Sequence, residues 1–260
     1  MKTKHFVLIA FVACRPQSRA EPTPSSATDA AMSASVEPAP ALPTASTRAV
    51  GPFEMPFLGT RNVYYAVPRS TKKPARLLAN LHGVCNPPGY ACGYWVQAAS
   101  AHGFLVCPEG NTRCGGKDGP TSWSQPMVGA DDDLEKAIAV VDAKFPGEMN
   151  REGAILTGFS LGAYAAVSIA QKHPGRWPYL ILNEANVTLD AAALTKAGVR
   201  AVALVAGEHG SQIAGERATT EKLQKGGYPA KFWVMKGAGH HYSADIDTIM
   251  AEAIDFVLSH

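Results

Sequence analysis

Residues 155–166 read ILTGFSLGAYAA and set one serine, Ser160, between two glycines, Gly158 and Gly162. The residues ahead of the serine are β-formers, and those behind it are small helix-formers. A Gly-x-Ser-x-Gly pentad means little alone in a chain of 260 residues with 24 glycines. It becomes informative at a strand-to-helix turn. There the small residues let the backbone fold tightly and lift the hydroxyl above the strand's carboxyl end, near the first amides of the helix. Here the β run stops at Ser160 and a helical pattern starts at once. The competing reading is a glycine-rich strand–helix junction whose serine is only structural.

The flanking sequence alternates in the same way. FEMPFL and NVYYAVP predict an opening antiparallel pair, and RLLANLHG (residues 76–83) predicts a buried strand. A loop, a helix near residues 94–101 and strand FLVCPEG follow. A long loop through Trp123 leads to DDDLEKAIAVVDAKF, whose three leading carboxylates suit the positive end of a helix. Its apolar residues Leu134, Ile138, Val141 and Phe145 recur at helical spacing. Beyond the pentad come strand YLILNEA, a short helix over residues 191–196, strand AVALVAGE, helix GERATTEKLQKGG, strand AKFWVMKGAG and a closing helix from about Ala244 to Leu258. Strands alternating with helices imply a mostly parallel sheet covered on both faces.

A serine hydroxyl is a weak nucleophile until a base takes its proton. The end of the last strand offers GAGHHY (residues 237–242), which places His240 directly after a Gly-x-Gly and keeps His241 as the spare. A developing oxyanion needs backbone N–H donors. Leu161 follows the nucleophile at the helix N-terminus, and Val84 follows Gly83 at the bend in LHGVC. His82–Gly83 otherwise reads as an ordinary strand-ending turn.

LHG, GFSLGA and GAGHH, in this order on these elements, resemble an α/β-hydrolase over residues 53–260. The finer likeness is to the small exported esterases of the polyhydroxyalkanoate-depolymerase, feruloyl-esterase and dienelactone-hydrolase kind. The resemblance implies an α/β-hydrolase fold with a mostly parallel eight-stranded sheet, helices on both faces and no lid domain. It implies a serine hydrolase that cleaves carboxylic esters through an acyl-enzyme on Ser160, with His240 as general base and no cofactor. A serine peptidase of the same fold is the runner-up.

One position departs from the family pattern. The third catalytic residue is usually an Asp in a Gly-x-x-Asp after the strand that here reads AVALVAGE. This chain has Gly207-Glu208-His209-Gly210. Glu208 is the nearest substitute, with its longer side chain reaching back to His240. Glu184 or Asp190, after the preceding strand, are the alternatives. A dyad without an acid is the third, and with it the reading of a non-catalytic, surface-anchored binding protein. A metal site on His209, His240 and His241 lacks ligand spacing, so no metal is expected.

The loops suggest substrate and compartment. Residues 85–123 follow strand ends on the active-site face, where substrate loops belong. Tyr90, Tyr94, Trp95 and Trp123 there form either a substrate wall or packing beneath the loops. Cys85, Cys92, Cys107 and Cys114 predict two disulfides, with nearest-neighbour pairing Cys85–Cys92 and Cys107–Cys114 as the expectation among three. Residues 1–13 read as a signal peptide, a basic n-region followed by an apolar h-region too short to span a bilayer. FVAC resembles a lipobox that would lipidate Cys14, whereas SRA (residues 18–20) would suit ordinary secretion. Residues 14–50, rich in Pro, Ala, Ser and Thr, cannot bury enough apolar surface to order themselves and read as a disordered tether. Residues 51–260 read as the catalytic domain. The net charge of +2, without any basic stripe, excludes a nucleic-acid surface. The expected partners are a small-molecule or polymer ester and, through Cys14 alone, a bacterial envelope membrane.

Overall fold

The computed structural model describes residues 49–260, apart from 71, 126 and 128. The expected signal peptide, Cys14 and the tether as far as residue 48 lie outside the described residues. The chain enters the fold through β1 (Phe53–Leu58) and β2 (Arg61–Ala66), then β3 (Ala75–Leu81). Helices α1 (Pro88–Gly93) and α2 (Val96–His102) lead to β4 (Gly103–Pro108) and a small ribbon of β5 (Thr112–Arg113) and β6 (Thr121–Ser122). There follow α3 (Ala130–Lys144), β7 (Met149–Phe159), α4 (Leu161–Lys172), β8 (Tyr179–Asn183) and α5 (Ala191–Lys196). The chain closes with β9 (Ala201–Gly207), α6 (Ile213–Lys225), β10 (Ala230–Met235) and α7 (Ile246–Leu258).

Among the described residues, eight strands form one sheet in the order β1-β2-β4-β3-β7-β8-β9-β10. β1 pairs antiparallel with β2, and β2 antiparallel with β4. From β4 to β10 every pairing is parallel. Successive side chains along a strand point to opposite faces, so each central strand feeds two cores. Leu77, Leu81, Leu156, Leu180 and Leu204 pack on one face with α3, α4, α5 and α6. Leu78, Leu105, Ile155, Ile181 and Val205 pack on the other with α1, α2 and α7. Strands apolar on both sides are what a doubly covered parallel sheet demands. Only α5 stands between β8 and β9, so no lid domain overhangs the sheet there.

Particular contacts lock the helices in place. Leu134, Ile138 and Val141 are fully buried; Phe145 lies one residue past the end of α3 and meets the ring of Tyr65 edge-on at 5.9 Å. The carboxylates that open α3 do more than face the helix dipole. Asp133 takes both guanidinium nitrogens of Arg61 at 2.7 and 2.8 Å, and Asp131 Oδ2 accepts from Lys172 at 2.5 Å and His173 at 2.9 Å. They tie α3 to β2 and to the end of α4. Asp247 on α7 likewise accepts from the Gln97 and Ala98 amides at 3.1 and 2.9 Å. These are first-turn donors of α2 with no intrahelical partner.

The cysteines pair otherwise than nearest-neighbour spacing suggests. The disulfides are Cys85–Cys114 and Cys92–Cys107, with Cα–Cα distances of 5.7 and 5.9 Å. Burial explains the exchange. Cys92, on the inner side of α1, and Cys107, on β4, are both core residues. Cys85 sits in the exposed turn after β3, and the β5–β6 ribbon brings Cys114 to it.

Candidate active site

The pentad forms the turn that its spacing predicts. β7 ends at Phe159, α4 begins at Leu161, and Ser160 between them has φ 53° and ψ −120°. That left-handed backbone is strained for a residue with a side chain, and it is held from both sides. The Ser160 amide donates to Asn183 O at 2.8 Å, and the Asn183 side chain donates to Gly158 O at 3.2 Å. The glycines are required by close approach. A Cβ on Gly158 would stand 2.3 Å from the Gly162 backbone, and one on Gly162 would stand 2.0 Å from Leu81 O.

The turn after β10 brings His240 over this serine. Ser160 Oγ lies 2.9 Å from His240 Nε2, and His240 Nδ1 lies 3.0 Å from Glu184 Oε2. A carboxylate can only accept, so Nδ1 carries the proton and Nε2 is free to take the serine's. His241, the spare, is turned to backbone, with Nδ1 3.0 Å from Tyr242 O and Nε2 accepting from the Gly239 amide.

Glu208 does not reach His240. Its side chain is half exposed and accepts from the Gly237 amide at 2.9 Å, linking the turn after β9 to the turn after β10. Asp190 is engaged as the N-cap of α5, accepting from Ala193 N at 2.9 Å. The acid facing the imidazole is Glu184, the first residue after β8, whose side chain is 0% exposed. Its φ of 55° turns the side chain back over the sheet, and its Oε1 accepts from the Gly207 amide. Gly210, at the position where the family pattern has Asp, explains the departure. A Cβ there would lie 2.9 Å from Glu184 Oε2. The glutamate carboxylate fills the space that a side chain at residue 210 would need.

The turn after β3 forms the other lip. His82 is 1% exposed, and its Nε2 accepts from the Gly110 amide at 2.9 Å. Its proton is therefore on Nδ1, which donates to Gly83 O at 2.8 Å. Burial depresses the His82 pKa to about 4, against the opposing pull of that bond to Gly83. Because a peptide's C=O and N–H point in opposite directions, fixing Gly83 O also fixes the Val84 amide. Trp123 Nε1 donates to His82 O at 2.9 Å, and its ring lies 5.1 Å from the imidazole. Leu161 is the first residue of α4, where helix amides have no intrahelical partner.

A cleft of about 490 Å³ opens here, lined by the turn from Gly83 to Pro87 together with Tyr90, Phe159, Ser160 and His240. Of the aromatics read as a wall, Tyr90 and Tyr94 stand at the surface with ring centroids 4.1 Å apart. Trp95 and Trp123 do not belong to that wall. They are 0% and 2% exposed and pack into the cores on the two faces of the sheet. Sequence reasoning passed over Asn183 and the positioning contacts of His82, since only the folded strand ends bring these groups together. Among the described residues no cluster of three His, Cys, Asp or Glu side chains could hold a metal.

No family model and no curated protein matches the chain. Solved structures do. An S-formylglutathione hydrolase from Staphylococcus aureus aligns over 76% of this chain and 92% of its own, at 14% identity and TM-score 0.53. A ferulic acid esterase aligns over 76% and 91%, at 14% identity and TM-score 0.57. A carboxylesterase from Bacillus cereus aligns over 76% and 95%, at 14% identity and TM-score 0.54. At these identities the likeness speaks for architecture, and with the strand order and the Ser160 turn it gives the conclusion: the chain has the α/β-hydrolase fold.

Proposed function

We propose that this chain is a serine hydrolase that cleaves carboxylic esters through an acyl-enzyme on Ser160. The observation that carries the reading is the unbroken Glu184–His240–Ser160 relay opening on a cleft. His240 Nε2 takes the Oγ proton as Oγ attacks the ester carbonyl. Amides of Val84 and Leu161 stabilise the oxyanion, which preorganised donors do far better than water. Glu184 keeps the imidazole in the right tautomer and stabilises the imidazolium as it forms. His240 then protonates the departing alkoxide, and a water activated by the same nitrogen releases the acid. The structural neighbours, a ferulic acid esterase and a carboxylesterase among them, support an ester over an amide as the bond cleaved.

The two disulfides support an oxidising compartment outside the cytoplasm, and the N-terminal pattern supports export, with Cys14 as the lipid anchor. Mass spectrometry of the mature N-terminus tests that part: a diacylglyceryl mass on Cys14 supports it, and an unprocessed Met1 contradicts it. For the chemistry, hydrolysis of p-nitrophenyl esters is compared with that of peptide amides in wild type, Ser160→Ala and His240→Ala. The reading expects ester turnover that each substitution reduces by at least about 10³-fold. Turnover unchanged in Ser160→Ala removes the proposal.

A further inference from the structure

Behind the relay lies a second buried carboxyl. Glu216, in the first turn of α6, is 0% exposed. Its Oε1 accepts from the Ala185 amide at 2.6 Å. Ala185 follows Glu184 directly, beyond the last paired residue of β8, so its amide has no strand partner to fall back on. Glu184 itself holds a left-handed φ of 55°, which side chains other than glycine's resist. Two contacts straddle that residue: the Glu184 amide donates to Val205 O at 2.9 Å, and the following peptide donates to Glu216. Without Glu216, the Ala185 amide would be an orphan in the core. The peptide would be free to turn, and Glu184 could relax to negative φ with its carboxylate off His240.

We propose that Glu216 is a positioning residue: its carboxyl grips the peptide after Glu184 and so holds Glu184 on His240. The inference rests on the serine-hydrolase reading. The titratable group facing Glu216 is Glu184 itself. Burial pushes the Glu216 carboxyl up to about 9, and the Glu184 charge adds to that, against the stabilising Ala185 amide. Glu216 therefore acts uncharged at neutral pH, as an acceptor rather than as an anion.

The test compares wild type, Glu216→Gln and Glu216→Leu, each checked for folding by circular dichroism. It reads kcat, KM and the pH profile of kcat/KM on p-nitrophenyl acetate. Gln keeps an acceptor for Ala185 and should hold kcat within about threefold. Leu removes the acceptor at similar size. It should lower kcat by about 10- to 100-fold with KM unchanged, less than the ~10⁴-fold that loss of the orienting acid costs in the serine-protease template. The acid limb of the profile should move to lower pH, because a displaced Glu184 no longer stabilises the His240 cation. If Leu does not fold, Glu216→Asp keeps the acid but withdraws it by one methylene, and the same losses are expected. A folded Leu or Asp variant with wild-type kcat and an unmoved limb overturns the inference, as does a folded Gln variant that loses activity. Fluorophosphonate labelling of wild type at Ser160 separates the two levels. Wild type that labels beside an indifferent Leu variant ends this inference alone, whereas wild type that does not label ends the hydrolase reading and this inference together.

Discussion

Between Gly210 and the Glu184 carboxylate there is no room for a side chain, and that ties two residues 26 positions apart into one catalytic choice. Glu184→Gln should therefore lower kcat by about 10³- to 10⁴-fold. Glu208→Gln, which keeps an acceptor for the Gly237 amide and leaves the Glu184–His240 contact alone, should stay within about twofold. Steady-state kinetics on one ester decides between them, and equal losses would contradict the assignment. Gly210→Ala should cost at least about tenfold in kcat, since its Cβ would push the carboxylate off His240. The sequence made Glu208 the nearer substitute because it lies close to the missing Asp. It could not show which carboxylate turns inward. That depends on the left-handed backbone at Glu184 and on the Gly207 amide, which belongs to a neighbouring strand.

At the scale of elements, the turn after β3 is clamped from two sides: by His82 and Trp123 within, and by the Cys85–Cys114 disulfide without. Trp123→Phe keeps the ring and removes the donor to His82 O. It should lower kcat several-fold while leaving KM unchanged, and a larger effect on KM than on kcat would contradict the clamp. Replacing Cys85 and Cys114 together by Ser opens a link that spans 29 residues. It should cost about 2–4 kcal/mol of stability by urea unfolding. The strands and the longer helices around this turn were legible, because short runs of apolar β-formers and period-3.6 patterns come from the local chain. The loops between them were not. α1 hides in a Pro- and Gly-rich stretch, and whether Trp95 or Trp123 faces substrate or core depends on what later folds over them.

For the whole molecule, two buried titratable side chains pull stability in opposite directions with pH. His82 has a folded-state pKa of about 4 against 6.5. Its contribution is present above pH 6.5 and is lost as pH falls toward 4, a change on the order of 3 kcal/mol. The stability gap between wild type and His82→Asn should shrink by about that amount over this window. Glu216 has its pKa raised to about 9 from 4.5. Its contribution is present below pH 4.5 and is lost as pH rises toward 9, so Glu216→Gln should gain in melting temperature relative to wild type across that range. An unchanged difference would mean that the carboxyl is not buried as described. The architecture as a whole was the most legible part, because strands apolar on both faces alternating with amphipathic helices admit few arrangements. The central claim is that Ser160 is activated by His240. It is tested most directly by reacting the full chain with a fluorophosphonate and mapping the adduct by peptide mass spectrometry. One adduct is expected, on Ser160, and it should disappear in His240→Ala; a folded wild type with no adduct, or with its adduct on another residue, rules this activation out.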